Sequence, residues 1–143
     1  MTLATRIFDM VSPISVLAFD FGMKHIGIAV GQTQTHSASA LTTVSATSGK
    51  PDWKTLDTVI EVWRPDLLIV GLPINMDGSD SEMAEHARRF ANRLNAHYQR
   101  PVEFMDERLT SYEARQLEPR VDKRHALAAR LIAETWLNTQ AES

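Results

Sequence analysis

The run VLAFDFGMKHIGIAVG, residues 16–31, constrains the fold of this chain more than any other stretch. Val16 to Phe21 and Ile26 to Val30 are apolar, β-rich runs separated by Gly22-Met23-Lys24-His25, which is the pattern of an antiparallel hairpin. The first run reads as buried strand, yet it carries one carboxylate, Asp20. An ionised acid in such a place needs a cation to offset its lost hydration.

Downstream the hydrophobic period changes. Ala40 to Val44 offers a third strand after the polar loop Gln32 to Ser39. In PDWKTLDTVIEVW, Trp53, Leu56, Ile60 and Trp63 recur at helical spacing, with Asp52 as N-cap and Pro65 as the stop. Leu67 to Leu72 is a continuous apolar run of the kind found in parallel pairing. The loop PINMDGSD follows. Ser79 with Glu82 then forms a capping box for a helix to about Ala96, with Met83, Ala87, Phe90, Ala91 and Leu94 as its inner stripe. Val102 to Met105 is a short strand ending in Asp106-Glu107-Arg108, and Thr110 with Glu113 repeats the capping-box pattern. A last helix is expected from about Asp122 to Leu137. Three meandering strands followed by helix, strand, helix, strand and helix predict an α/β architecture. The expectation is a mixed five-stranded sheet flanked by helices, in the order that a ribonuclease H-like fold requires. Residues 1–15, with Pro13 just before the first strand, are expected to form a flexible N-terminal extension, and residues 16–139 a single domain.

Composition narrows the function classes. The 143 residues are 43% hydrophobic and 23% charged, which suits one globular domain. The longest apolar run, Leu67 to Ile74, is interrupted by Gly71 and Pro73 and falls far short of the roughly 18 residues of a membrane span. The segment MTLATRIFDMVSPIS lacks the sustained apolar core of a signal peptide. With no cysteine, disulfides and thiol chemistry are excluded and the usual zinc ligands are missing, so a cytoplasmic location is expected. A net charge of -3 does not advertise a nucleic-acid binder, but the bases are unevenly placed. From Arg108 to Arg130 the bases Arg108, Arg115, Arg120, Lys123, Arg124 and Arg130 outnumber Glu113, Glu118 and Asp122, while Arg88, Arg89 and Arg93 form a second cluster. Taken alone, each cluster reads as a solvated helix face.

Asp20 lies near the C-terminal end of the first strand and Glu107 just past the end of the last, at the border where α/β folds place ligands. Converging carboxylates suit a hard divalent ion such as Mg²⁺ or Mn²⁺. The competing reading pairs Asp20 with Lys24 and leaves Glu107 to cap the following loop. On the last helix Asp122 and His125 are three apart and share a face with Ala129, Ile132 and Trp136. Ala126, Ala128 and Ala129 let that helix approach the sheet closely. Asn75, Asp77 and Gly78 read as turn chemistry, and Trp53, Trp63 and Trp136 as core packing.

The segments FDFGMKHIGIAVG at 19–31, PDW at 51–53, PDLLIVGLPINMDG at 65–78, FANRL at 90–94, DERLTSYEA at 106–114 and AARLIAETWL at 128–137 accumulate in one order. By these motifs the chain resembles the YqgF family, the Holliday-junction-resolvase-like proteins known as pre-16S ribosomal RNA nucleases. The resemblance implies a ribonuclease H-like fold and a metal-dependent phosphodiesterase, with Asp20 and Glu107 as the first two active-site acids. It also implies processing of the 5′ end of 16S ribosomal RNA. The family's third acid opens the last helix in a pattern like D-S-x-A-A. In DKRHALAARL, alignment on Ala128-Ala129 puts His125 at that position. Asp122 and His125 together resemble the pair, three apart, of related junction resolvases. On this reading Asp20, Glu107 and Asp122 are the metal ligands, His125 completes the catalytic set, and Lys24 and Arg108 hold phosphates.

The implied partners are structured RNA such as pre-16S ribosomal RNA, or branched DNA, with a ribosomal or processing-factor partner, no membrane, and a monomer or weak dimer. The alternatives are a catalytically weak or inactive module that binds ribosomal RNA or a processing factor, and a four-way DNA junction resolvase. A nucleotide-binding reading, from the likeness of the D-x-G turn to the phosphate loop of actin-like ATPases, ranks last because those proteins need a second domain of similar fold.

Overall fold

The computed structural model describes residues 13–109 and 120–141, with the side chains of Val121, Asp122 and Ala141 outside the description. Its central hairpin is the one the apolar runs predict. Strand β1 (Ser15–Asp20) pairs antiparallel with β2 (His25–Gln32), from Ser15 opposite Gln32 to Asp20 opposite Gly27. Ile14 is already buried, and its amide bonds the Thr33 hydroxyl, so the packed chain begins before residue 16. Strand β3 (Ser37–Thr47) continues the meander on the far side of β2.

The sheet has six strands, one more than expected. The addition is β4 (Lys50–Pro51), a two-residue strand returned against Ala46 and Thr47 by a turn at Ser48 and Gly49, both at positive φ. Hydrophobic patterning could not show it. Most of β3 is exposed or half-buried, so backbone pairing and not burial sets its length.

Helix α1 (Trp53–Trp63) starts at Asp52 and ends on Arg64, a left-handed C-cap just before Pro65. The Asp52 carboxylate accepts from the Thr55 hydroxyl and not from the helix backbone. Strand β5 (Leu67–Leu72) is buried at every position and runs parallel to β1, as its unbroken apolar sequence predicts. Helix α2 (Glu82–Tyr98) corrects the expected start. Ser81 is the N-cap and accepts from the Ala84 amide, while the Ser79 hydroxyl is taken by Asp77. The inner stripe is accordingly Ala84, Ala87, Phe90, Ala91 and Leu94, with Met83 turned to the exposed side.

Strand β6 (Val102–Asp106) lies parallel to β5 and leads into a 3₁₀ turn (Glu107–Leu109). The Thr110–Glu113 pattern lies outside the described residues. Helix α3 (Val121–Ala141) closes the chain, four residues longer than expected at its C-terminal end. The strand order β4-β3-β2-β1-β5-β6 places two cores on opposite faces. Leu17, Phe19, Leu68 and Val70 meet α1 and α2, with Phe90 packed against Phe19 and Phe21. Val16, Ala18, Leu67 and Ile69 meet Ile132, Ala133 and Trp136 of α3.

Candidate active site

Alternation along β1 decides where its acid points. Leu17 and Phe19 face α1 and α2, so Val16, Ala18 and Asp20 face α3. On β5 the same face carries Leu67, Ile69 and Gly71. Phe19 is opposite Val70 and Leu72 opposite Asp106, which puts Gly71 beside Asp20 on one side and just ahead of Glu107 on the other. A Cβ on Gly71 would stand 3.2 Å from both Cγ and Cδ of Glu107. The Glu107 side chain therefore folds back over Gly71, onto the face that holds Asp20.

Asp20 is 2% exposed and Glu107 8%, and they are the two buried charged residues among those described. A core otherwise built of apolar side chains thus concentrates its buried charge at the C-terminal ends of two parallel strands that flank β5. Helix α3 supplies the third group. His125 Nδ1 lies 2.9 Å from Asp20 Oδ2, with the two side chains 20% and 3% exposed. A carboxylate only accepts, so Nδ1 carries the hydrogen and Nε2 is the nitrogen left for other chemistry. The pairing of Asp20 with Lys24 does not form. Lys24 is exposed in the β1–β2 turn, where its carbonyl accepts from the Ala46 amide, and the imidazole takes the place beside Asp20.

Arg108 is placed differently from a free phosphate anchor. Its guanidinium grips Asp106 through Nη2 at 2.6 Å and Nε at 2.9 Å, and Nη1 reaches the carbonyls of Asn75 and Met76 at 3.5 and 3.4 Å. The hydrogen bond from Arg108 holds the Asp106 carboxyl below the usual carboxylate range and raises the guanidinium in turn. The residue next to Glu107 thereby fastens the 73–81 loop to the 3₁₀ turn. Within that loop Asp77 accepts from the Ser79 amide and hydroxyl, which lowers its pKa, and Gly78 sits at φ +90. Asn75, Asp77 and Gly78 are spent on the turn.

Among the described residues no three His, Asp or Glu side chains gather closely enough to hold a metal ion. The donor set still suits a hard cation, because Asp20 and Glu107 present carboxylate oxygens on one face. Asp122 belongs to the first turn of α3, one turn before His125, with its side chain outside the description. Sequence reasoning missed His25. Its ring lies 5.7 Å from that of His125, across a turn where a Cβ on Gly22 would stand 3.4 Å from His125 Cε1. A contact spanning a hundred residues leaves no local signal.

Comparison with known proteins now places this geometry. The family model described as RuvX, Holliday junction resolvase, matches residues 14–139. The chain belongs to the RuvX family. That membership agrees with the YqgF motifs quoted from the sequence. Among the relatives of this RuvX-family chain is a protein of Nitrosococcus oceani, 47% identical over 135 residues that cover 90% of this chain and 89% of the relative. Another, from Saccharophagus degradans, is 45% identical over 130 residues, covering 85% and 92%. Both bear the name "Putative pre-16S rRNA nuclease". Among solved structures, Thermus thermophilus RuvC in complex with a Holliday junction substrate aligns with a TM-score of 0.55 at 16% identity, covering 88% of this chain and 96% of that one. The yeast mitochondrial Holliday junction resolvase aligns at 0.54 and 14%, covering 89% and 79%. These two likenesses establish the ribonuclease H-like fold.

Proposed function

We propose that this chain is a metal-dependent nuclease that hydrolyses phosphodiester bonds in structured RNA, with the 5′ end of pre-16S ribosomal RNA as its cellular substrate. The observation that carries the reading is the convergence of the buried pair Asp20 and Glu107 on one sheet face, at the strand ends where α/β folds bind ligands. The names of the relatives supply the substrate class.

Asp20 and Glu107, with Asp122 from the first turn of α3, are the residues that would hold Mg²⁺ or Mn²⁺. Such an ion, when bound, polarises phosphate oxygens and lowers the pKa of a bound water. His125, anchored to Asp20 through Nδ1, keeps Nε2 for exchanging a proton with a water or a phosphate oxygen. Lys24, exposed on the rim formed by the β1–β2 turn, offers its ammonium to a backbone phosphate. Arg108 shapes the opposite rim through the 73–81 loop. Phosphate contacts carry no base information, so selectivity comes from RNA structure or from a ribosomal or processing-factor partner. A cytoplasmic monomer or weak dimer suits this role, and no helix among the described residues is long and apolar enough to cross a membrane.

One observation favours a second reading, a module that binds ribosomal RNA without cutting: the imidazole of His125 already occupies an oxygen of Asp20. Calorimetric titration of Mn²⁺ into wild type and Asp20→Asn, with cleavage of a structured ribosomal RNA precursor and of a four-way DNA junction in parallel, separates the readings. The nuclease reading expects binding and RNA cleavage that both vanish in the variant. Cleavage confined to the junction would move the substrate to DNA. RNA binding with no metal uptake up to millimolar Mn²⁺ and no cutting would leave the binding module.

A further inference from the structure

Strand β2 carries a glycine where its own stability would favour almost any other residue. Gly27 sits inside HIGIAVGQ, a run buried at every position from Ile26 to Gly31. Glycine in a strand interior loses backbone entropy and packs no side chain, at a cost of roughly 0.5–1 kcal/mol relative to alanine. Such a residue marks the close approach of another backbone. Here the approaching backbone is helix α3. A Cβ on Gly27 would stand 1.9 Å from the His125 carbonyl oxygen, 2.1 Å from its carbon and 2.7 Å from the Ala126 nitrogen. These are main-chain atoms of a helix, and they cannot swing aside as a side-chain tip can.

The register gives this contact its consequence. Gly27 is the cross-strand partner of Asp20. Directly opposed residues of an antiparallel pair have Cα atoms about 4.5–5.5 Å apart. The main chain of His125 rests on Gly27, and its imidazole crosses that one-strand step to reach Asp20 at 2.9 Å. The same residue thus meets the sheet twice, by backbone at Gly27 and by side chain at Asp20.

We propose that Gly27 is a positioning residue of the active site: by offering the His125 carbonyl no side chain, it seats the first turns of α3 on β2 and sets the contact between His125 and Asp20. An alanine there holds the helix off by about 1.5 Å before ordinary contact is restored. A hydrogen bond with a working range near 2.7–3.2 Å does not survive that displacement. Gly31 provides the internal control. It lies on the same strand and faces the same helix, but a Cβ there meets side chains only, Val16 Cγ2 at 3.0 Å and Ala133 Cβ and Leu137 Cδ1 at 3.6 Å.

What the contact serves rests on the nuclease reading; the contact itself does not. The test compares full-length wild type, Gly27→Ala and Gly31→Ala at one pH by imidazole nitrogen NMR, with His125→Gln to assign the ring, and by Mn²⁺-dependent cleavage of structured RNA. Wild type and Gly31→Ala are expected to show the Nδ1–H form of His125, and Gly27→Ala to lose it. Turnover should fall in Gly27→Ala by on the order of 10- to 100-fold, the scale for ångström misplacement of a reacting group, with KM changed less than about threefold. An unchanged His125 signal in Gly27→Ala, or equal loss in Gly31→Ala, overturns the proposal. Should wild type cut nothing, the nuclease reading fails and the NMR comparison still decides the positioning role. If Gly27→Ala does not fold in plain buffer, all three proteins are compared in a stabilising osmolyte, which favours the folded state without touching the contact, and retention of the His125 signal in Gly27→Ala there overturns the proposal equally.

Discussion

Asp20 illustrates how much a buried acid depends on a group brought to it from far along the chain. With the carboxylate 2% exposed, His125→Ala removes the group that bonds Oδ2 and leaves a cavity of imidazole size beside it. The expected loss is about 1–3 kcal/mol, read from urea denaturation, and a double-mutant cycle with Asp20→Asn should recover part of it as coupling. Arg108 makes a pH prediction. Because Asp106 titrates lower in the folded chain than in the unfolded one, its pairing with Arg108 stabilises the fold above the ordinary carboxylate range. That contribution disappears as pH falls through the lowered value. Melting temperatures of wild type and Arg108→Gln should therefore differ at pH 7, and the difference should begin to shrink near the ordinary carboxylate value of about 3.9 and vanish only at lower pH. The partners of these residues were not legible in the sequence. Lys24 is four residues from Asp20 and His125 is 105 away, yet the distant residue is the one in contact.

At the level of elements, the start of α2 shows why a matching motif can name the wrong residue. Ser79-x-x-Glu82 has the form of a capping box, but Asp77 two residues earlier captures the Ser79 amide and hydroxyl, and Ser81 is left to cap. Ser81 also donates to the Pro73 carbonyl, so it ties the loop to the helix. Ser81→Ala should cost about 1–2 kcal/mol and Ser79→Ala less than about 0.5 kcal/mol, measured as urea midpoints at constant slope. Equal costs would return the cap to Ser79. The helices and the buried strand β5 were legible because apolar periodicity is strong there. Strand β4 was not, because two residues held by backbone pairing carry no periodicity.

Across the whole molecule, α3 is the piece that joins the two ends of the site. Trp136 is 1% exposed, and its indole N–H reaches Glu103 of β6 at 3.3 Å, while the same helix lies on β2 at Gly27. Removing the indole with Trp136→Ala should cost about 3–5 kcal/mol, a large share of the roughly 5–15 kcal/mol that keeps a domain folded. Both cores share one sheet, so far-ultraviolet circular dichroism and tryptophan fluorescence are expected to report a single coincident thermal transition in wild type. Two separated transitions would show that the two faces melt independently.

The sequence by itself determined the hairpin, the parallel strand β5, the order of the strands and helices other than β4, and the family, because each rests on local periodicity or on motifs read along the chain. It also singled out Asp20 and Glu107, since acids at the ends of apolar strands stand out without any knowledge of their neighbours. Only the tertiary structure decided that these two acids share a face, that His125 and not Lys24 meets Asp20, that Arg108 is spent on Asp106, that the His125 backbone lies against Gly27, and that the Glu107 side chain lies over Gly71. Those facts depend on which residues a helix and a sheet bring within a few ångströms across a hundred positions of chain. Periodicity says which face a residue takes, and packing alone says what it touches there.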